Sequence, residues 1–225
     1  MSVLKLHAVL FDMDGLMLDT ERIAQQAGMD ACADHGYVMD RTLAMQLVGR
    51  NSRDTDQILA AHFGAGFDPL AVRERFKARY EAALFDGGLQ TKPGLFELLD
   101  WLQRLNMPRA VATSTRHDMA LRKLAHAGVQ RYFEHVIGGD RVSRGKPEPD
   151  IFLAAAERLG VKPAHCVVLE DSEPGVQAAL AAGMTPLMVP DLKAPSSALL
   201  AHGITVCNSL HAVMRHLSAR CQLPL

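Results

Sequence analysis

The sequence predicts an α/β fold, a parallel sheet with helices on both faces, interrupted near its start by an insert that is helical throughout. Three observations lead there. Short, wholly apolar runs end on acidic or hydroxyl residues at His7 to Phe11, Ala110 to Ala112 and Cys166 to Leu169. Runs without polar alternation mark strands buried on both faces, the situation of a parallel sheet. From about residue 90 such runs alternate with helical stretches, the βα rhythm of that architecture. Residues 21 to 85, by contrast, hold no convincing strand, and their apolar positions recur at helical spacing.

Taken in order, the first strand runs to Phe11, Gly15 to Asp19 form a short loop, and Thr20 with Glu21 opens the helical insert. Its apolar stripe passes through Ile23, Ala27 and Ala31, then Leu43 and Leu47, then Ile58, Leu59 and Phe63. Gly36, Gly49 and the stretch from Gly64 to Pro69 punctuate it. Asp86-Gly87-Gly88 and Lys92-Pro93-Gly94 mark its exit. A helix near Gly94 to Leu105, with Leu98, Trp101 and Leu102 as its inward stripe, precedes a strand at Arg109 to Thr113. A helix over His117 to Ala127 precedes a strand at His135 to Ile137. A helix over Pro149 to Leu159 leads to the strand ending at Leu169, and a helix over Gly175 to Ala182 to a strand at Thr185 to Val189. A last pair, Ile204 to Cys207 and Leu210 to Leu217, closes the fold, with Cys221 to Leu225 as a tail. The expected division is a core of residues 1–17 and 90–225 with an insert of residues 18–89.

Composition narrows the function. With 225 residues, 48% hydrophobic and 22% charged, the chain has material for a sizeable core and no signature of disorder. Its formal net charge is −1 without a basic cluster, which argues against nucleic acid, since phosphate backbones demand concentrated Lys and Arg. The first residues lack the apolar core of a signal peptide, and no run is long enough to span a bilayer. Cys32, Cys166, Cys207 and Cys221 lie far apart without CxxC spacing, against disulfide staples and zinc sites. The expected setting is a reducing cytoplasm, with no membrane partner and a monomeric chain.

The chemistry is carried by the residues that end the strands, because ligands of open α/β sheets bind beyond the carboxyl ends of their strands. Asp12 and Asp14 follow the first strand, and Gly15 allows a sharp turn there. One carboxylate can act as a nucleophile on phosphorus, and the other can protonate a leaving oxygen and later activate water. A solvated turn or an adventitious metal site is the alternative reading of Asp12-Met13-Asp14-Gly15. Thr113 and the amide of Ser114 can donate to phosphate oxygens, although Thr-Ser-Thr is also an ordinary helix start. Lys146, in Lys146-Pro147-Glu148-Pro149, can neutralise the charge of a transferring phosphoryl group. Glu170 and Asp171 end a fully apolar strand, where paired acids are costly unless they hold a cation. Mg²⁺ suits them, since it accepts one or two carboxylates and keeps several waters. Capping of the next helix, shared with Ser172, is compatible with that role.

These four segments, in this order, resemble the haloacid-dehalogenase-like hydrolase superfamily over nearly the whole chain. Phe11 to Glu21 and the helical insert that follows resemble the branch of β-phosphoglucomutases and small sugar-phosphate phosphatases. The resemblance implies a Rossmann-like parallel core with a helical cap and a Mg²⁺-dependent reaction on a small phosphate ester. It implies Asp12 as nucleophile and Asp14 as acid/base. Asp12, the Asp14 carbonyl and Asp171 would be metal ligands, with Glu170 a ligand or the support of one. Thr113, Ser114 and Lys146 would bind the phosphoryl group, and Arg116 would reach a second phosphate or the cap. Arg50 and Arg53, in Gly49-Arg50-Asn51-Ser52-Arg53-Asp54, are the cap's candidates for gripping substrate. That segment is similar to the cap loop of the phosphatases, and the positions where a mutase carries a His and a basic residue are Ala24 and Val48. Asp14 separates the chain from dehalogenases proper, which lack a second aspartate there and need no metal. The expectation is a phosphatase of a small phosphorylated metabolite, with a phosphohexomutase and a non-catalytic metabolite-binding protein as alternatives.

Overall fold

The structure, a computed structural model, describes residues 4–48 and 52–222. The chain divides into two compact units, one of Met1–Leu18 with Gln90–Leu225 and one of Asp19–Leu89.

In the first unit, β1 (Leu4–Lys5) and β2 (Ala8–Phe11) lead to the second unit, and the chain returns ahead of α5 (Leu95–Arg104). There follow β3 (Arg109–Ala112), α6 (His117–His126), β4 (His135–Ile137), α7 (Asp150–Leu159), β5 (Cys166–Glu170), α8 (Glu173–Ala181), β6 (Thr185–Met188), α9 (Ser197–Leu200), β7 (Thr205–Val206), α10 (Leu210–Arg220) and β8 (Cys221–Gln222). The helices of the second unit, numbered separately as αA (Thr20–Asp34), αB (Arg41–Leu47), αC (Ser52–Phe63) and αD (Pro69–Phe85), fill the interval after β2. Six strands form one parallel sheet in the order β4-β3-β2-β5-β6-β7. Cys221 and Gln222, expected as part of a tail, instead pair in parallel with Leu4 and Lys5.

Every residue of β2 and β5 is buried, as the unbroken apolar runs require. Alternation along the strands sends Ala8, Leu10, Ala110, Ala112 and Val168 to a core shared with Ile151, Phe152 and Ala155 of α7 and Ala178 and Ala179 of α8. Fully burying each large apolar side chain contributes about 1.5–3 kcal/mol, so the centre of the sheet is the most strongly held part of this unit. α8 starts at Glu173, two residues before the expected Gly175, because Ser172 caps it and Pro174 fits its first turn.

The strand order places β2 between β3 and β5, which makes its carboxyl end the point where successive connections leave in opposite directions. Two main-chain bonds extend the ladder just past the strands: Asp12 N donates to Leu169 O and Thr113 N to Ile137 O, each at 3.0 Å. The residues expected to carry chemistry thus leave the sheet with their backbones still fixed by it.

The helical unit has its own core, including Ala31, Cys32, Leu43, Leu59, Phe67 and Val72. Asp40 caps αB and Asp68 caps αD, where Pro69 takes the first turn. Asp34 ties αA to αD by accepting hydrogen bonds from Arg75 and Arg79, and these guanidiniums hold its carboxyl below the usual carboxylate range. No helix among the described residues is long and apolar enough to cross a membrane. Cys32, Cys166 and Cys207 are free, buried thiols, and burial pushes the Cys166 thiol up to about 11.

Candidate active site

Asp12, one residue past β2, is 6% exposed, and its Oδ1 accepts a hydrogen bond from Lys146 Nζ at 2.5 Å. The same ammonium donates to Glu170 Oε1 at 2.6 Å. It also lies 4.9 Å from the centroid of the Phe152 ring, an aromatic face that favours a cation. Lys146 thus reaches the sheet from a loop 134 residues away in sequence from Asp12. The Lys146-Pro147 peptide bond is cis.

Glu170 is fully buried at the end of β5. Its second oxygen, Oε2, accepts from Ser172 N at 2.9 Å and Ser172 Oγ at 2.8 Å. Both oxygens of this carboxylate are therefore engaged by protein donors, an arrangement that fits a support for Lys146. Asp171 is half-buried and turns toward the first loop. A Cβ placed on Gly15 would come within 2.9 Å of Asp171 Cγ, and Gly15 has φ +82°, so the absent side chain serves both the turn and the close approach. The first and last acidic segments meet at this glycine.

Asp14 accepts at Oδ1 from Lys123 Nζ (2.7 Å) and at Oδ2 from Thr115 Oγ1 (2.6 Å). Thr113 is 1% exposed, and its Oγ1 accepts from Thr115 N at 3.1 Å, which leaves the hydroxyl hydrogen to be donated. Ser114 is exposed beside it. Asp12, Asp14, Thr113, Lys146, Glu170 and Asp171 accordingly all sit at or just beyond the carboxyl ends of β2, β3 and β5, or reach residues there.

The arginines are placed differently. Arg116 stands at the start of α6 with its side chain 75% exposed, and its Nε is 3.4 Å from Asp118 Oδ1. Arg53 is exposed on αC of the helical unit. Arg50 lies outside the described residues.

Thr115 and Lys123 escaped the sequence reading, although one signal for Lys123 is present. It falls in the apolar stripe of α6 with Ala120 and Leu124, a position where a charge needs a buried partner. Lys92 Nζ and Asp191 Oδ1, 2.6 Å apart, form a second cross-chain pair with no local signature.

Around Asp12 the electrostatics follow from the Lys146 ammonium among several carboxylates in a dry setting. Burial pushes the Asp12 carboxyl up to about 7; Lys146 opposes this, while Glu170 and Asp14 add to the rise. Burial works against the charge of Lys146, but the adjacent Asp12 and Glu170 carboxylates outweigh it, and the ammonium is held above the ordinary lysine range.

Among the described residues, no three His, Cys, Asp or Glu side chains converge as a ready-made metal cage. What meets the first loop at Gly15 is the carboxylate of Asp171, a hard-oxygen donor. Hard oxygens of this kind suit a cation that completes its shell with water and substrate oxygens.

Residues 6–183 match the family model of haloacid dehalogenase-like hydrolases. The chain is 34% identical over 185 residues to the phosphorylated carbohydrates phosphatase of Thermotoga maritima, with 80% of this chain and 82% of that protein covered. It is 35% identical over 176 residues to the fructose-1-phosphate phosphatase YqaB of Escherichia coli, covering 78% and 92%. The crystal structure of a HAD family hydrolase from Deinococcus radiodurans R1, with bound phosphate and sodium, superposes with a TM-score of 0.79 at 32% identity and covers 96% of each chain. With the family model spanning most of its length, the chain belongs to the haloacid dehalogenase-like hydrolases.

Proposed function

We propose that the protein is a Mg²⁺-dependent phosphatase of small phosphorylated metabolites, sugar phosphates foremost, working through an aspartyl-phosphate. The carrying observation is the placement of Lys146 between Asp12 and Glu170, 2.5 and 2.6 Å away, on the rim that also holds Asp14 and Asp171. The phosphatase relatives support the substrate class.

In the first half-reaction a carboxylate oxygen of Asp12 attacks phosphorus. The bond from phosphorus to the alcohol oxygen breaks, its electron pair stays on that oxygen, and Asp14 supplies the proton. In the second, Asp14 takes a proton from water as the water oxygen attacks phosphorus, and the bond to Asp12 breaks to release inorganic phosphate. Lys146 lies against the nucleophile and offsets the charge gathered on the phosphoryl oxygens, while Glu170 holds that ammonium in place. Thr113 and the Ser114 amide offer donors to the same oxygens. Asp12, Asp171 and the Asp14 carbonyl would hold Mg²⁺, which when bound neutralises phosphate charge. The unit Asp19–Leu89 would serve as the cap, with Arg50 and Arg53 as its candidate substrate contacts.

The test is a phosphate-release screen over many phosphate esters, with and without Mg²⁺. Turnover of sugar phosphates that requires the metal and vanishes in Asp12→Asn is expected. An isomerised sugar phosphate without free phosphate would point to a mutase, and an Asp12→Asn protein of near-normal activity would defeat the reading.

A further inference from the structure

Among the described residues, Lys123 is a strongly buried charge near the rim that the proposed mechanism leaves unused. Its side chain is 2% exposed, and it sits on the inward stripe of α6 between Ala120 and Leu124, both buried. Removing an ammonium from water is costly even after the protein relaxes. A position serving only to pack α6 would be filled more cheaply by an apolar side chain, as its two neighbours are. The ammonium instead ends 2.7 Å from Asp14 Oδ1, from a position 109 residues away in the chain. Thr115 Oγ1 donates to Oδ2 from another side at 2.6 Å, so two donors on separate segments meet one carboxylate. Two hydrogen bonds at its two oxygens fix both the rotation and the tilt of a carboxyl group, which either bond alone would not.

We infer that Lys123 is a positioning residue for proton transfer: together with Thr115 it holds the Asp14 carboxyl in the orientation from which a proton reaches the leaving oxygen. The inference rests on the assignment of Asp14 as acid/base made above. Lys123 acts through Asp14, the carboxylate it touches, and a lapse in orientation of about 1 Å can cost roughly 100-fold in rate.

The leaving group separates this role from a merely structural one. An alkyl phosphate needs a proton on its departing oxygen, whereas the phenolate of p-nitrophenyl phosphate departs without one. For both substrates kcat/KM reports the steps through phosphoryl transfer to Asp12. Lys123→Met should lower kcat/KM for an alkyl phosphate by roughly 100-fold, with a much smaller loss on p-nitrophenyl phosphate. Equal fold-losses on the two substrates, or none on either, overturn the inference. Asp14→Asn is measured alongside. If it shows no dependence on the leaving group, the acid/base assignment itself fails; if it does and Lys123→Met does not, only the positioning role falls. Should Lys123→Met not accumulate as folded protein, Lys123→Arg, which keeps the charge but displaces the donor, carries the same comparison with the same two outcomes.

Discussion

Gly175→Ala changes no residue assigned to the chemistry, yet it should disable the site from behind. Gly175 lies in the first turn of α8, packed directly against Glu170. A Cβ built there falls inside the Glu170 carboxyl group, with Oε2 2.5 Å away. Helix propensity alone would make the change stabilising by about 1 kcal/mol. The carboxylate cannot simply swing aside, because Oε1 holds Lys146 and Oε2 holds Ser172. Overpacking costs about 1–3 kcal/mol, and uncoupling a buried charge from its partner about 3–5 kcal/mol. Partial relaxation leaves a net loss of roughly 2–4 kcal/mol, which for a chain of this size lowers Tm by about 5–15 °C. Thermal melts by circular dichroism, paired with phosphate release, check this. Activity should fall with stability, since a displaced Glu170 no longer seats Lys146. The double variant Glu170→Ala/Gly175→Ala should be less destabilised than the two single changes added together. A Gly175→Ala protein that melts and turns over like the parent would refute the packing described for Glu170.

Further outcomes follow from the same geometry. Lys146→Met leaves Asp12 and Glu170 buried without their shared cation, at a cost of about 3–5 kcal/mol; urea titrations should show this, with part of the loss regained at low pH as the Asp12 carboxyl protonates. Ser172→Ala removes both a donor to Glu170 and the cap of α8, and should cost about 1–2 kcal/mol together with a fall in kcat. The pKa of Asp12, about 7 in the metal-free protein against an ordinary 3.8, means that the folded state keeps a proton that the unfolded chain gives up. Metal-free stability should therefore decline as pH rises between those values and level off above them. Mg²⁺, which favours the ionised form, should flatten that decline, and ¹³C NMR of the Asp12 carboxyl with and without the metal would follow it directly.

What could be read from the sequence, and what could not, divides along chain distance. The central strands were legible because burial on both faces leaves them uninterruptedly apolar, as the runs Ala8 to Phe11 and Cys166 to Leu169 are. Asp12, Thr113 and the pair Glu170-Asp171 were legible because each follows such a run, and strand order alone then carries them to one rim. The loop residue Lys146 needed the motif around it. Pairs formed across the fold left little trace: Lys123 with Asp14, and Lys92 with Asp191, join residues about a hundred positions apart and depend on packing of α6 and of the loop after β6. The pairing of Cys221 and Gln222 with Leu4 and Lys5 is of the same kind, since two-residue strands carry no periodicity of their own. At α8 the difference was local: the helix expected from Gly175 begins at Glu173, with Pro174 in its first turn.

Covalent capture examines the nucleophile most directly. Protein quenched during turnover is reduced with borohydride, which converts an acyl phosphate to an alcohol, and the peptide from Leu6 to Arg22 is sequenced by mass spectrometry. Reduction confined to Asp12, and absent when substrate is omitted, is the predicted result. Sustained phosphate release with Asp12 unmodified under every quench, or with the modification on another residue, would contradict it.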